Sequence, residues 1–82
     1  MKNESTFPYT LADLRLGEKA TIDSFTDGEL SVKLLEMGCL PGERVTVDRF
    51  APLGDPMAIH VADSIISIRL EEADNVLVKA IS

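Results

Sequence analysis

The run LLEMGCLPGERVTV (Leu34–Val47) constrains the fold more than any other part of the chain, because its hydrophobic period changes from helical to alternating. Gly38 is a natural residue to end a helix, since it adopts a left-handed backbone conformation without strain. Pro41 then prevents the helix from continuing. Beyond this turn, Val45 and Val47 alternate with polar residues, as side chains in a strand do. The run therefore predicts a helix, a tight corner and a strand in direct succession.

The helix that precedes this corner is predicted over residues 28–37. Its apolar residues recur at helical spacing and form one face, made of Leu30, Leu34 and Met37. Thr26 and Glu29 have the spacing of a capping box, in which each side chain satisfies a backbone N–H at the helix start. We therefore expect Thr26 to be the N-terminal cap.

Alternating apolar and polar residues predict five short strands, at 19–25, 45–50, 57–61, 66–70 and 76–80. Five short strands in 82 residues cannot form two full sheets, whereas a bent sheet that closes on itself leaves no exposed edge. The expected fold is therefore mainly β, a small five-stranded barrel with one α-helix inserted after the first strand. Residues 1–10 are polar and aperiodic, and are predicted to form a flexible N-terminal tail before a single domain at 11–82.

The charge of the chain excludes several classes of partner. Its 14 acidic residues outnumber its 8 lysines and arginines, and the formal net charge is −6. Nucleic acid requires a basic surface, and so does an anionic membrane, so we expect neither as a partner. No stretch approaches the roughly 20 apolar residues that cross a bilayer, which predicts no membrane insertion.

One cysteine cannot form an internal disulfide, so a cytoplasmic location is expected.

Cys39 is the one residue in the corner that could carry chemistry. It follows the expected helix end by two residues, a position from which an apolar side chain commonly packs back on the last turn. A nucleophilic cysteine needs a neighbour that stabilises the thiolate, but Glu36 and Glu43 are negative and would raise the pKa of the thiol. We therefore expect Cys39 to be at least half buried and inert.

No motif in the chain predicts a catalytic or metal site. His60 is the only histidine, alternation places it on the outer face of its strand, and a structural zinc site needs more ligands than His60 and Cys39 supply. An oxygen-rich iron or magnesium site built from scattered acidic residues remains an alternative. Serines without a nucleophile elbow and the lack of a glycine-rich phosphate loop predict no enzyme and no cofactor.

The loop APLGDP (Ala51–Pro56) joins two predicted strands and is stiffened by two prolines and a glycine. It is either a rigid hairpin connection or a pre-ordered contact surface, because a rigid loop loses little entropy on binding. Together with the rim of the helix corner it predicts a partner-binding surface, formed by Leu34, Leu35, Leu40, Pro41, Pro52, Leu53, Gly54, Asp55 and Pro56. The alternative for Leu35 is that it widens the apolar stripe that faces the core.

Four segments resemble the FeoA family, ferrous iron transport protein A, and its wider group of SH3-like domains. They are LADLRLGEKATI (Leu11–Ile22), LLEMGCLPGE (Leu34–Glu43), APLGDP (Ala51–Pro56) and IRLEEADNVLV (Ile68–Val78). The sequence departs from the family pattern at Asp63 and Ser64, where relatives carry a glycine followed by an aromatic residue. The resemblance implies a cytoplasmic accessory protein of bacterial ferrous iron uptake that works with the membrane GTPase permease FeoB, without catalytic residues.

Several functional hypotheses follow from the residues and the resemblance. The first is an adaptor that docks on the cytoplasmic part of FeoB and modulates it. The second is a regulatory domain like the SH3-like domain of iron-dependent repressors, although an acidic chain lacks the basic module that binds DNA. The third is a carrier of ferrous iron, in line with the metal-binding label of the family. Weak self-association stays open in each case.

Overall fold

The structure is a computed structural model that describes residues 9–81. Six antiparallel strands form one sheet in the order β1-β6-β2-β3-β4-β5. The strands are β1 Tyr9–Thr10, β2 Lys19–Phe25, β3 Arg44–Phe50, β4 Met57–Val61, β5 Ser64–Ile68 and β6 Val76–Ala80. The helical elements of the described residues are a 3₁₀ turn at Leu11–Asp13, helix α1 at Gly28–Glu36 and the single-turn helix α2 at Leu70–Ala73.

The predicted mainly β fold with a helix after the first long strand is confirmed, but the five-stranded closed barrel is not. Strand β1 is additional, and its Tyr9 pairs with Val78 of β6. Over the described residues 9–81 the sheet also stays open, because β1 and β5 are its two edges. Two residues are too few to give β1 a hydrophobic period, so alternation could not detect it. Tyr9 and Thr10 therefore do not belong to the flexible tail predicted at 1–10, whose residues 1–8 lie outside the described residues.

Register shifts in the sheet bend it around one core. One lies between Ile22 and Ser24 where β2 pairs with β6, and another lies between Val47 and Arg49 where β3 pairs with β4. Such bulges increase the local twist of a strand. The side chains that alternation places inward on β3 and β4 are buried, namely Val45, Val47, Met57, Ile59 and Val61. The strand predicted at 66–70 is shifted toward the N-terminus, and Leu70 begins α2 instead.

The predicted capping box at the start of α1 is wrong. Asp27 is the N-cap, and its carboxylate accepts hydrogen bonds from the backbone N–H groups of Glu29 at 2.9 Å and Leu30 at 3.1 Å. The Thr26 hydroxyl instead donates to the side-chain oxygen of Asn75 at 2.8 Å. Aspartate is at least as good a cap as threonine, and the Asn75 contact, remote in sequence, holds Thr26 away from the helix.

The predicted helix end at Gly38 is confirmed in detail. Gly38 has φ +96°, its N–H donates to the carbonyl of Leu35 at 3.1 Å, and the Cys39 N–H donates to the carbonyl of Leu34 at 2.9 Å. These two bonds define a Schellman motif, which satisfies the last carbonyl groups of the helix. The chain then turns toward β2, where the Gly42 N–H donates to the carbonyl of Ile22 at 2.8 Å. The corner is therefore fixed to the sheet as well as to the helix.

Within residues 9–81, no helix has the length and apolar character needed to cross a membrane.

Candidate partner-binding surface

The loop between β3 and β4 is held by its own backbone. The Ala51 N–H donates to the carbonyl of Pro56 at 2.9 Å, and the Gly54 N–H donates to the carbonyl of Ala51 at 2.7 Å. Gly54 has φ +93°, a conformation that other residues adopt only with strain, and the Asp55–Pro56 peptide bond is cis. Leu53 lies at the tip of this loop and is 96% exposed. The loop therefore presents one apolar side chain to solvent on an ordered backbone.

A side-chain contact joins this loop to the rest of the domain. The Asp55 carboxylate accepts a hydrogen bond from the Leu70 N–H at 3.0 Å, at the first turn of α2. That N–H is one of those a helix start leaves without an intrahelical partner. Asp55 thus caps α2 from outside the helix and orients the loop at the same time. We call Pro52, Leu53, Gly54, Asp55 and Pro56 the loop surface.

The predicted contribution of the helix and its corner needs one correction. Leu34 is 1% exposed and belongs to the core, so it cannot contact a partner. It lies four residues after Leu30, so both side chains are on the helix face that packs against the core. Leu35 is 40% exposed and Leu40 is 43% exposed, while Pro41 is also exposed, so these three remain on the surface.

One apolar residue of this surface was missed in the sequence. Val32 is exposed on α1, three residues before Leu35, and residues at that spacing are neighbours on a helix. The helical period that identified the inner face would also have placed Val32 beside Leu35 on the outer one. We call Val32, Leu35, Leu40 and Pro41 the helix surface.

The structure does not bring the two surfaces together. The helix surface ends where β3 begins, and the loop surface begins where β3 ends at Phe50. A strand of seven residues spans about 20 Å. The pairing of Val45 with Val61 and of Phe50 with Met57 places the two surfaces at opposite ends of the β3–β4 ladder. The single continuous patch expected from the sequence is therefore divided, because Leu40 and Pro41 lie at the opposite end of β3 from the loop surface.

Cys39 is buried beside the helix end, as predicted. Burial raises the pKa of its thiol, and the negative charge of Glu43 raises it further. Both effects disfavour the thiolate, which is the reactive form. The geometry therefore assigns Cys39 to packing, in agreement with its position in the Schellman motif.

An open groove of about 600 Å³ lies between the start of α1 and α2. It is lined by Asp27, Glu29, Leu30, Lys33, Glu71, Glu72 and Asn75. The Lys33 ammonium group lies 2.9 Å from the Glu72 carboxylate, and the hydrogen bond it donates lowers the pKa of Glu72, helped by the N–H of Arg69. In the part of the chain that the structure describes, no three His, Cys, Asp or Glu side chains are placed to hold a metal ion.

The architecture defines a class of small SH3-like β domains. A solved structure of FeoA from Stenotrophomonas maltophilia in complex with zinc is described as a procaryotic SH3 domain protein. It is 29% identical to this chain with a TM-score of 0.75, and the match covers 85% of this chain and 88% of that one. Within this class the chain belongs to the FeoA domain family, whose model matches residues 9–80.

Two further relatives support the family. Iron(II) transport protein A from Clostridium thermocellum has a solved structure that is 37% identical, with a TM-score of 0.81, covering 88% of this chain and 45% of that one. The Fe(2+) transport protein A/Fe(2+) transporter FeoB fusion protein of Porphyromonas gingivalis is 36% identical over 73 residues. That match covers 88% of this chain but only 9% of the fusion protein.

Proposed function

We propose that this chain acts in ferrous iron transport as a non-catalytic, cytoplasmic adaptor that docks on the transporter FeoB and modulates it. The observation that carries this proposal is the Porphyromonas gingivalis relative, a fusion of Fe(2+) transport protein A with FeoB. Fusion raises the effective concentration of one part near the other and so favours a contact between them. When the two proteins are separate chains, the contact between them depends on the complementarity of the two surfaces alone.

The loop surface is the best candidate for that contact. Leu53 is 96% exposed, and a leucine side chain that becomes fully buried contributes about 1.5–3 kcal/mol. The loop backbone is already ordered by its two internal hydrogen bonds and by Asp55, so binding has little loop entropy to remove. An apolar anchor on a rigid support is a common way to build a small, specific interface.

Charge indicates what the receiving surface looks like. This chain carries a formal net charge of −6, so a partner with basic residues around an apolar recess would be attracted over a distance and aligned. We propose that Leu53 enters such a recess on the cytoplasmic part of FeoB. The helix surface, at the other end of β3, would form a second contact only with a partner that reaches both ends.

Isothermal titration with the purified cytoplasmic part of FeoB from the same organism tests this proposal. Leu53→Glu should lower the affinity at least tenfold, because it places a charge in the apolar recess. Leu16→Glu is the matched control, since Leu16 is 66% exposed and lies outside both surfaces. Leu35→Glu reports separately on the helix surface. All three variants should melt within a few degrees of the wild type, since each side chain is exposed.

Each outcome decides between specific alternatives. Loss of binding for Leu53→Glu alone supports docking through the loop surface. Loss for Leu35→Glu alone moves the contact to the helix surface. Equal loss for Leu16→Glu shows that added negative charge is responsible, which would contradict a basic receiving surface. If wild-type protein does not bind the purified cytoplasmic part of FeoB at all, the adaptor proposal is wrong.

A further inference from the structure

Strand β5, Ser64–Ile68, is an edge of the sheet that carries none of the usual protection. Among the strands of residues 9–81, it pairs with β4 alone and forms the end of the strand order. Proteins normally block such an edge with a lysine, a proline or a bulge. The sequence SIISI has no charge and no proline, and its pairing with β4 runs without a register shift. Its Ile65 is 58% exposed on the outer face.

The turn before β5 determines which backbone groups face the free edge. Ala62 and Asp63 have φ of +51° and +66°, as in the two-residue hairpin turn of type I′. Such a turn is closed by a hydrogen-bonded pair, here Val61 and Ser64, and bonded and non-bonded pairs then alternate along the ladder. Ile65 and Ser67 therefore direct their N–H and C=O groups away from β4, toward the free edge.

We propose that two copies of this chain associate by antiparallel pairing of their β5 strands, with the twofold axis at Ile66. In this register Ile65 of one copy lies opposite Ser67 of the other, and the outward backbone groups of both form about four hydrogen bonds. Ile66, which is partly buried, then meets its own counterpart. We take the strand that pairs with this edge to be β5 of a second copy, because the residues at the two ends of β5 carry opposite charges.

The charges at the ends of β5 favour this register over its neighbours. Asp63 precedes the strand and Arg69 follows it, and both are exposed. With the axis at Ile66, Asp63 of each copy lies opposite Arg69 of the other, which gives two symmetric ion pairs. Because only every second residue of β5 directs its backbone groups to the free edge, the partner strand can shift only by two residues at a time. In the two neighbouring registers, centred on Ile65 and on Ser67, Asp63 and Arg69 do not lie opposite each other.

The resulting dimer should be weak. A contact of five residues a side lies well below the area of a stable interface, and the net charge of −6 on each copy opposes association. This self-association is independent of docking on FeoB, because neither the loop surface nor the helix surface takes part in it. Its test therefore uses the isolated chain, and its failure would leave the proposed function unaffected.

A concentration series of the isolated chain locates the contact. We expect sedimentation velocity and amide NMR between about 20 µM and about 1 mM to show a monomer–dimer equilibrium, a range suited to a small interface. The amide signals of Ile65 and Ser67 should shift most, and the Leu53 signal should stay constant. Ile65→Lys, the type of residue that protects natural edges, should abolish the dimer and leave the monomer folded.

Charge reversal tests the register itself. Arg69→Asp and Asp63→Lys should each weaken the dimer roughly tenfold, since both symmetric ion pairs become repulsive. The double variant should recover most of the wild-type affinity. Lys19→Asp changes the net charge as Arg69→Asp does but lies on β2, so it controls for general repulsion. Asp63→Asn, which tolerates the left-handed conformation, removes the ion pairs without repulsion and should weaken the dimer less than either reversal.

Three results would overturn the proposal. The first is a chain that stays monomeric to the highest concentration. The second is a dimer whose shifts map away from β5, which would place self-association elsewhere. The third is a double reversal that remains as weak as the single variants.

Discussion

The carboxylate of Asp55 accepts a hydrogen bond at 3.0 Å from the backbone N–H of Leu70, fifteen residues further along the chain. A loop residue thereby supplies the cap that the first turn of α2 lacks from its own Arg69, whose side chain makes no cap hydrogen bond. The same bond sets the position of the loop that carries Leu53. Local helix stability and presentation of the loop surface are therefore coupled through one side chain.

Asp55→Ala should destabilise the domain by about 1 kcal/mol, the usual loss when a helix cap is removed. For a domain of this size the melting temperature should fall by about 4–8 °C. Asp55→Asn keeps an oxygen acceptor and should lose less than half as much. Thermal unfolding by circular dichroism compares the three proteins, and equal stability of Asp55→Ala and wild type would contradict the coupling.

Cys39→Ser should cost about 1–2 kcal/mol at neutral pH, because a hydroxyl replaces a buried sulfur. The thiol of the folded wild type should react slowly with a disulfide reagent, at a rate set by opening of the structure. Fast, stoichiometric labelling of the folded protein at neutral pH would contradict the burial seen here.

The raised pKa of Cys39 gives this stability a pH dependence. Because the folded state holds the thiol proton more tightly than the unfolded state does, the contribution is complete below the unfolded pKa of about 8.5. It declines as the pH rises through that value toward the higher folded pKa. The stability difference between wild type and Cys39→Ser should therefore shrink in alkaline urea titrations, and a constant difference would show that Cys39 does not titrate differently on unfolding.

The ion pair of Lys33 and Glu72 should contribute with the opposite pH dependence. The pKa of Glu72 is lowered, mainly by the hydrogen bond from Lys33, so the stabilisation is present above the unfolded pKa of about 4.3 and is lost as the pH falls through the folded value. Lys33→Met should cost at most about 1 kcal/mol at pH 7, since Lys33 is largely exposed. Urea midpoints of the two proteins should converge in acid and in high salt.

The β4–β5 turn offers a stabilising change. Ala62 and Asp63 both have positive φ, whereas Asn-Gly is the preferred pair for this turn type. Ala62→Asn with Asp63→Gly should raise the stability by about 1 kcal/mol through relief of strain. The melting temperature, measured at low concentration where the chain is monomeric, should rise; a fall would show that Ala62 or Asp63 makes a contact that outweighs the strain.

The sequence predicted those parts of the fold that depend on local pattern. The Schellman end at Gly38, the buried alternation of β4 and the buried position of Cys39 follow from spacing and turn chemistry alone. What it missed depends on contacts remote in sequence: Asn75 removes Thr26 from the helix cap, and β6 provides the pairing partner that makes Tyr9–Thr10 a strand. The prediction that the helix corner and the loop surface form one patch was wrong for the same reason. Only the β3–β4 register shows that they lie at opposite ends of this ladder.

The pairing of Tyr9 with Val78 has a consequence for how this domain can be built into larger proteins. Paired residues in neighbouring strands lie about 5 Å apart, so the described part of the chain is entered and left at nearly the same point. Ala80 also pairs with Ala20, which is paired with Val45 at the start of β3, so β6 and β3 flank β2 and run in the same direction. A linker joined at the Tyr9 end or at the Ala80 end would therefore attach at one region of the sheet. Fused and separate versions could then present the same face to the same partner, and they would differ only in how often the two meet.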